Sequence, residues 1–358
     1  MMDHRLSRRQ ALAGMTGAAA ASLTMPGTAP SQDMPRSSLG LVIYSCGLRR
    51  RAQLMRNPKD DLFEPLTFLR HCHQRGAGGM QAALGTLDRG QVKALRSYAE
   101  RRGLFIEGIV NPPQDEADLP RFEAEIRTAA DVGALAVRTV IIPGRRYEQF
   151  KTLAEFRVSA ARGQRMLELA RPIVEKHRVR LAVENHKDQR LDERLALYER
   201  VKSEYIGACV DTGNNVALLD DPYETIEALA PYAFTVHLKD QAVRECDDGF
   251  LLGDIPLGQG CFDLPRMVGT LRKAKPNIRL VLEVITRDAL RVPCLTEAYW
   301  ATMPQVPARE LARGLSWVRR HPASQLQQVS ALPLDKQVAL EDTNITQSLA
   351  YAREHLKL

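Results

Sequence analysis

Four short segments in the second half of the chain each end an apolar run on a metal-type ligand: Glu184 in LAVENHKD, Asp211 in GACVDTGNN, His237 in FTVHLKD and Glu283 in LVLEVITRD. An acid or an imidazole closing a buried strand is costly to desolvate unless it is paired or bound to a cation. Four in succession point to one shared site. Three carboxylates and one imidazole suit a single divalent ion, Mn²⁺ first, with Mg²⁺, Co²⁺ and Zn²⁺ as the other fits; a thiolate site is not indicated. The competing reading is that each acid caps a following helix or pairs with an arginine.

The elements that would bring these four together are parallel strands whose C-terminal ends converge on one face. The intervals between the ligands are 27, 26 and 46 residues, and one βα unit takes roughly 30 or more. The last interval is longer because it holds an extra loop over residues 241–262. Eight strand-helix alternations are legible. The strands are expected at 39–44, 79–83, 104–110, 134–142, 179–184, 206–211, 234–237 and 280–283, with helices at 87–102, 120–132, 153–176, 192–204, 225–230 and 264–273 between them. Eight units close a (β/α)8 TIM barrel. A doubly wound open sheet would want a glycine-rich turn after its first strand, and Tyr44-Ser45-Cys46-Gly47-Leu48-Arg49 does not supply one. The barrel is expected over residues 38–290. Residues 291–358 read as a C-terminal helical extension, with helices at 308–319 and 342–358.

Alternate strand residues face one side. Ala182, Glu184 and His186 therefore point together, as do Thr235, His237 and Lys239. His186 and Lys239 approach the same mouth one step further out, where they would touch a substrate. Arg145, Arg146 and Arg287, near strand ends, could bind hydroxyls or an acidic group. Glu107 either faces the mouth or forms a structural pair with a neighbouring arginine.

Composition agrees with a large globular enzyme: 358 residues, 44% hydrophobic, with no apolar run long enough to span a membrane. The net charge of +7 is spread along the chain, with part of it in the first ten residues. It reads as a solubility feature with no nucleic acid as partner. Ser7-Arg8-Arg9-Gln10 precedes an Ala-rich, weakly apolar stretch over residues 11–25 and then a Pro, Gly and Ser region. This is the layout of a twin-arginine signal. Residues 1–30 are accordingly expected to be a signal peptide and linker read by the twin-arginine export machinery, and the mature protein to be periplasmic or exported. The six cysteines show no CxxC pair or disulfide-framework spacing. They read as isolated thiols, with Cys246 and Cys261, which flank one loop, as the pair able to join after export.

Over roughly residues 39–288 the chain resembles the xylose isomerase-like barrel superfamily of sugar isomerases and epimerases, which also contains endonuclease IV. The resemblance is carried by the ordered Glu, Asp, His, Glu at strand ends, by DTGNN, by HLKD, and by PLGQGCFD at residues 256–263, similar to the family's PLGxGxxD loop. It implies that Glu184, Asp211, His237 and Glu283 are metal ligands and that Glu184 and Glu283 form an acid-base pair. The nuclease branch carries a histidine where this chain has Asn214, and further ligands on early strands where this chain has Gln81 and Glu107. A trinuclear nuclease cluster is not supported. Asn214 departs from many ketose epimerases as well. His186, Lys239, Asn214, Arg287 and Glu107 are the candidates for binding a small-molecule sugar. The expected activity is metal-dependent isomerisation or epimerisation of an unphosphorylated sugar or keto-sugar derivative. The alternative is a lyase that eliminates a β-substituent from the same enolate, and a non-catalytic sugar-binding barrel is a third reading.

Overall fold

The computed structural model describes residues 36–358. The twin-arginine motif and the segment 1–30 lie outside them. Eleven strands follow in chain order: β1 Gly40–Val42, β2 Gly79–Ala83, β3 Phe105–Ile109, β4 Val137–Thr139, β5 Leu181–Glu184, β6 Ile206–Asp211, β7 Ala233–Leu238, β8 Asp240–Cys246, β9 Gly249–Ile255, β10 Leu280–Leu282 and β11 Leu290–Val292. Eight of them form a closed parallel barrel in the order β1-β10-β7-β6-β5-β4-β3-β2. These are the eight strands expected from the alternation.

The strands are apolar on both faces because both are covered, inside by barrel side chains and outside by helices. Leu181, Ala182 and Val183 of β5 are all fully buried, as are Val281 and Leu282 of β10. Local signals start the helices. Thr152 and Glu155 form a capping box that opens the long helix Leu153–His177, and Asp88 with Gln91 does the same for Arg89–Arg102.

Three features depart from the expectation. The fourth strand is only three residues long, not nine, because the flanking residues run irregularly toward Pro143. The interval 241–262 is not a simple loop: β8 and β9 pair as an antiparallel hairpin around Asp247-Asp248, and β11 joins them as a third strand. Gly249 sits at φ 151° where a Cβ would meet the Val292 carbonyl oxygen at 2.1 Å, so glycine is required for this close approach. The hairpin also keeps Cys246 and Cys261 apart. Cys246 is at its tip, while Cys261 donates to the Gln241 carbonyl at its base, roughly 17 Å of extended chain away. All six cysteines are free.

The last helix spans Leu334–His355 and so begins at residue 334 rather than 342. Pro333 provides its extended N-terminal flank. The Glu341 carboxylate on this helix accepts hydrogen bonds from the backbone N–H groups of Leu48 and Arg49 at 2.8 and 2.9 Å. It thereby caps the helix Gly47–Arg56 and ties the C-terminal extension to the first βα unit. Among the described residues no helix is long and apolar enough to cross a membrane.

Candidate metal and active site

Glu184 and Asp211 are the last residues of β5 and β6, His237 is the penultimate residue of β7, and Glu283 follows β10 directly. Adjacent parallel strands in register place them around one point, with Asp211 opposite His237 and Val281 opposite His237 in the two ladders. One ligand atom from each of the four lies within 4.8 Å of all the others. His237 Nδ1 stands 3.4 Å from Glu283 Oε2, 3.5 Å from Glu184 Oε2 and 3.9 Å from Asp211 Oδ2. Atoms bound to one ion at about 2.0–2.2 Å stand roughly 3–3.5 Å apart, so the shell is close to the size a divalent ion needs.

The imidazole is oriented for this. Gln81 Nε2 donates to Glu107 Oε2 at 2.9 Å, which turns its amide oxygen to His237 Nε2 at 2.7 Å. Nε2 therefore carries a proton, and Nδ1, buried and without a hydrogen-bond partner, faces the three carboxylates. Burial opposes charge on this ring, but Cys209, Glu283 and Glu184 outweigh it and raise His237 well above the ordinary histidine range. The cluster attracts positive charge, as a proton or as a metal ion.

Each carboxylate has fixed partners. Glu184 Oε1 accepts from Asn214 Nδ2 at 2.9 Å and Oε2 from Arg138 Nε at 2.5 Å. Burial would raise its carboxyl, but the Arg138 guanidinium, with His237 and His186, holds it at about 2. Asp211 Oδ1 accepts from the backbone N–H groups of Gly213 and Asn214, and Oδ2 turns to the cluster, 3.0 Å from Lys239 Nζ. Burial, offset in part by Lys239 and reinforced by Glu283 and Glu184, pushes Asp211 up to about 7. Glu283 Oε2 is 2.7 Å from Lys239 Nζ. Its burial is outweighed by Lys239 and His237, which hold it well below the usual carboxylate range.

A cavity of about 940 Å³ opens over this cluster, lined by Tyr44, Asn111, Arg138, Arg162, His186 and Glu283 among others. Of the expected substrate contacts, His186 is at this wall, with its Nδ1 unpartnered. Lys239 reaches the cluster but is bound to Asp211 and Glu283. Asn214 is fully buried, spanning Glu184 on one side and the ammonium groups of Lys187 and Lys239 on the other. Arg287 is 3.2 Å from Asp254 of the hairpin. Glu107 lies one layer below the mouth, bound to Gln81 and to Thr235, which is two residues before His237; neither the mouth nor an arginine is its partner. Burial, against those hydrogen bonds, pushes Glu107 up to about 7. Arg146 is fully buried between Glu193 and Thr302, and Arg145 pairs with Glu148, so both are structural.

Two residues escaped the sequence reading. Arg138 clamps Glu184 and donates to the Tyr44 hydroxyl at 3.1 Å; its signal was a charged residue inside the apolar run AVRTVII. Lys187 buries its ammonium against Asn214, and burial followed by the charge of Lys239 lowers it to about 8.

The family model described as xylose isomerase-like TIM barrel matches residues 69–321, and the chain belongs to that family. Among curated proteins, 3-oxo-isoapionate decarboxylase from Pectobacterium atrosepticum is 30% identical over 120 residues, which is 33% of this chain and 44% of that relative, so the match spans less than half of the relative's length. Among solved structures, D-psicose 3-epimerase is similar at 12% identity with a TM-score of 0.54, covering 88% of this chain and 98% of that one. A 3-keto-D-glucoside 4-epimerase from E. coli is similar at 13% identity with a TM-score of 0.51, covering 80% and 100%. At these identities the structural likeness establishes the fold.

Proposed function

We propose that this protein is a divalent-metal-dependent isomerase or epimerase of an unphosphorylated sugar or keto-sugar derivative. The observation that carries the reading is the bare Nδ1 of His237 facing Glu184, Asp211 and Glu283, the last of which lines the cavity. Mn²⁺ is the ion we favour, with Mg²⁺, Co²⁺ and Zn²⁺ as the other fits to this donor set. A bound divalent ion supplies Lewis acidity toward negative charge developing on a substrate carbonyl oxygen. The chain's own residues do the rest. Glu283, at the cavity wall, moves the proton next to the carbonyl, and Glu184 is the second carboxylate of the acid-base pair. Arg138 and Lys239 hold these two in place, and His186 offers its free ring nitrogen to a substrate hydroxyl.

A second reading is a lyase: the same enolate, once formed by proton removal, expels a β-substituent, or, as the decarboxylase relative suggests, the enolate is formed by loss of CO₂ from a β-keto acid. Proton NMR of metal-loaded protein in D₂O, with a panel of keto- and aldo-sugars, 3-keto-glycosides and β-keto sugar acids, separates the two. We expect deuterium incorporation with a new stereoisomer. An unsaturated product, a released aglycone or a lost carboxyl carbon would establish the lyase, and no reaction with any of the panel, with metal bound, would leave a sugar-binding barrel.

We further propose that residues 1–30 direct twin-arginine export to the periplasm, a reading supported by Arg8-Arg9 and the Ala-rich stretch that follows. Changing both arginines to lysine is expected to retain the precursor in the cytoplasm on cell fractionation; unchanged periplasmic delivery would overturn it.

A further inference from the structure

The buried charges around the tetrad balance before any ion is added. Glu184 is matched by Arg138, Asp211 and Glu283 share Lys239, and a third cation, Lys187, is bound through Asn214. Neighbouring charges do not alter this count. Asp188 is neutralised by Arg194 and Asp254 by Arg287, and Asp240 is spent on the backbone N–H groups of Gly258, Gly260, Phe262 and Gln241. Glu107 touches only Gln81 and Thr235, and even ionised it cancels one charge. A divalent ion on three carboxylates already matched by three cations leaves positive charge in excess in a site where desolvated charge must be compensated.

Lys187 makes this excess a built feature. The residue is 4% exposed, no carboxylate among the described residues lies within ion-pair distance of its ammonium, and its hydrogen-bond partner is the neutral amide oxygen of Asn214. The backbone there is held at φ 63°, a left-handed conformation unusual for lysine. Three contacts keep it so: Asp188 Oδ1 accepts from the His186 N–H at 3.1 Å, Arg194 Nη2 donates to both Asp188 oxygens at 2.8 Å, and the Lys187 carbonyl accepts from the Arg146 N–H at 3.0 Å. A buried cation on strained backbone, with no carboxylate in direct contact, favours negative charge on whatever enters beside the cluster.

We propose that the substrate is acidic: a keto-sugar acid whose carboxylate enters the cavity beside Arg138 and His186, with Lys187 setting the preference for negative charge through the field it exerts across Asn214. This rests on the metal-dependent reading above. Lys187 lies behind the cavity wall, so it is a specificity-determining residue and not a catalytic one.

The test is calorimetric. Purified protein is first titrated with Mn²⁺ alone, and the loaded protein is then titrated with 5-keto-D-gluconate and with L-sorbose, two six-carbon ketoses of the same configuration that differ by oxidation of one terminal hydroxymethyl group to a carboxylate. We expect the acid to bind at least about tenfold more tightly, and that preference to fall about tenfold in Lys187→Met and to be kept in Lys187→Arg. Equal or tighter binding of L-sorbose, or no measurable binding of the acid, overturns the acidic substrate while leaving metal dependence intact. Failure to bind Mn²⁺ in the first titration overturns the reading beneath it as well. A preference unchanged in Lys187→Met, with circular dichroism showing a folded variant, removes Lys187 from the argument and overturns its assigned role.

Discussion

Glu283→Gln is expected to lower turnover by about 10²–10⁴-fold and to stop solvent deuterium from entering the reacting carbon. The substitution keeps the size of the side chain and an oxygen able to accept from Lys239, which lies 2.7 Å from Oε2. It removes the ability to take up a proton. Among the four tetrad residues, Glu283 is the one that lines the cavity, so the effect falls on the reacting group and not on the fold. Because Glu283 is also a metal-type ligand, the rate must be read at saturating metal, with occupancy checked by elemental analysis. Exchange at the wild-type rate in a fully loaded variant would remove its acid-base role. Glu184→Gln is a less clean probe. Glu184 holds Arg138 and Asn214, and losing its charge leaves a buried guanidinium without its counter-ion.

The tetrad was legible because strand ends are the one place where a parallel barrel gathers remote residues, and each ligand closes an apolar run. The strand count was legible for a related reason: apolar segments of four to six residues recur between amphipathic helices, and eight of them close. What the sequence did not reveal depends on relations between strands. Glu107 is on an inward-facing parity, but its height in the barrel follows from its pairing with Gln81 and the stagger of β3 against β7, which one strand's residues do not encode. Parity also failed past the end of β5. The chain turns at Lys187, so His186 faces the cavity while the next side chain folds inward to Asn214. The hairpin of β8 and β9 carried a local signal, Asp247-Asp248-Gly249 between apolar runs, that the search for βα units passed over.

These misses share a cause with the site's chemistry. Arg138 and Lys187 were readable as ordinary polar residues and Lys239 and Asn214 as substrate contacts, and only their convergence makes them the frame of the tetrad. Asn214 is the clearest instance. It joins Glu184 to two lysines through one amide.

Dialysis against a chelator is expected to abolish proton exchange, with Mn²⁺, Mg²⁺ or Co²⁺ restoring it. The reason is electrostatic. Without a divalent ion, three buried carboxylates converge on His237 Nδ1 at 3.4–3.9 Å, with Lys239 and Arg138 in contact, Lys187 one residue further back behind Asn214, and a proton on the imidazole occupying the point where they meet. An ion at a hundred times its dissociation constant would add about 2.7 kcal/mol of stability, readable as a rise in the thermal midpoint. The pH dependence has a definite sign. Asp211 is pushed up to about 7 and His237 is raised well above its ordinary value, so both hold protons in the metal-free protein at pH 6, and both must release them to bind an ion. Affinity should therefore climb as pH rises from 6 to 8, with protons released on binding, as measured by calorimetry in buffers of different ionisation enthalpy. An affinity independent of pH would remove Asp211 and His237 from the ligand set, and full exchange activity in the metal-free protein would show that the tetrad works by hydrogen bonding alone.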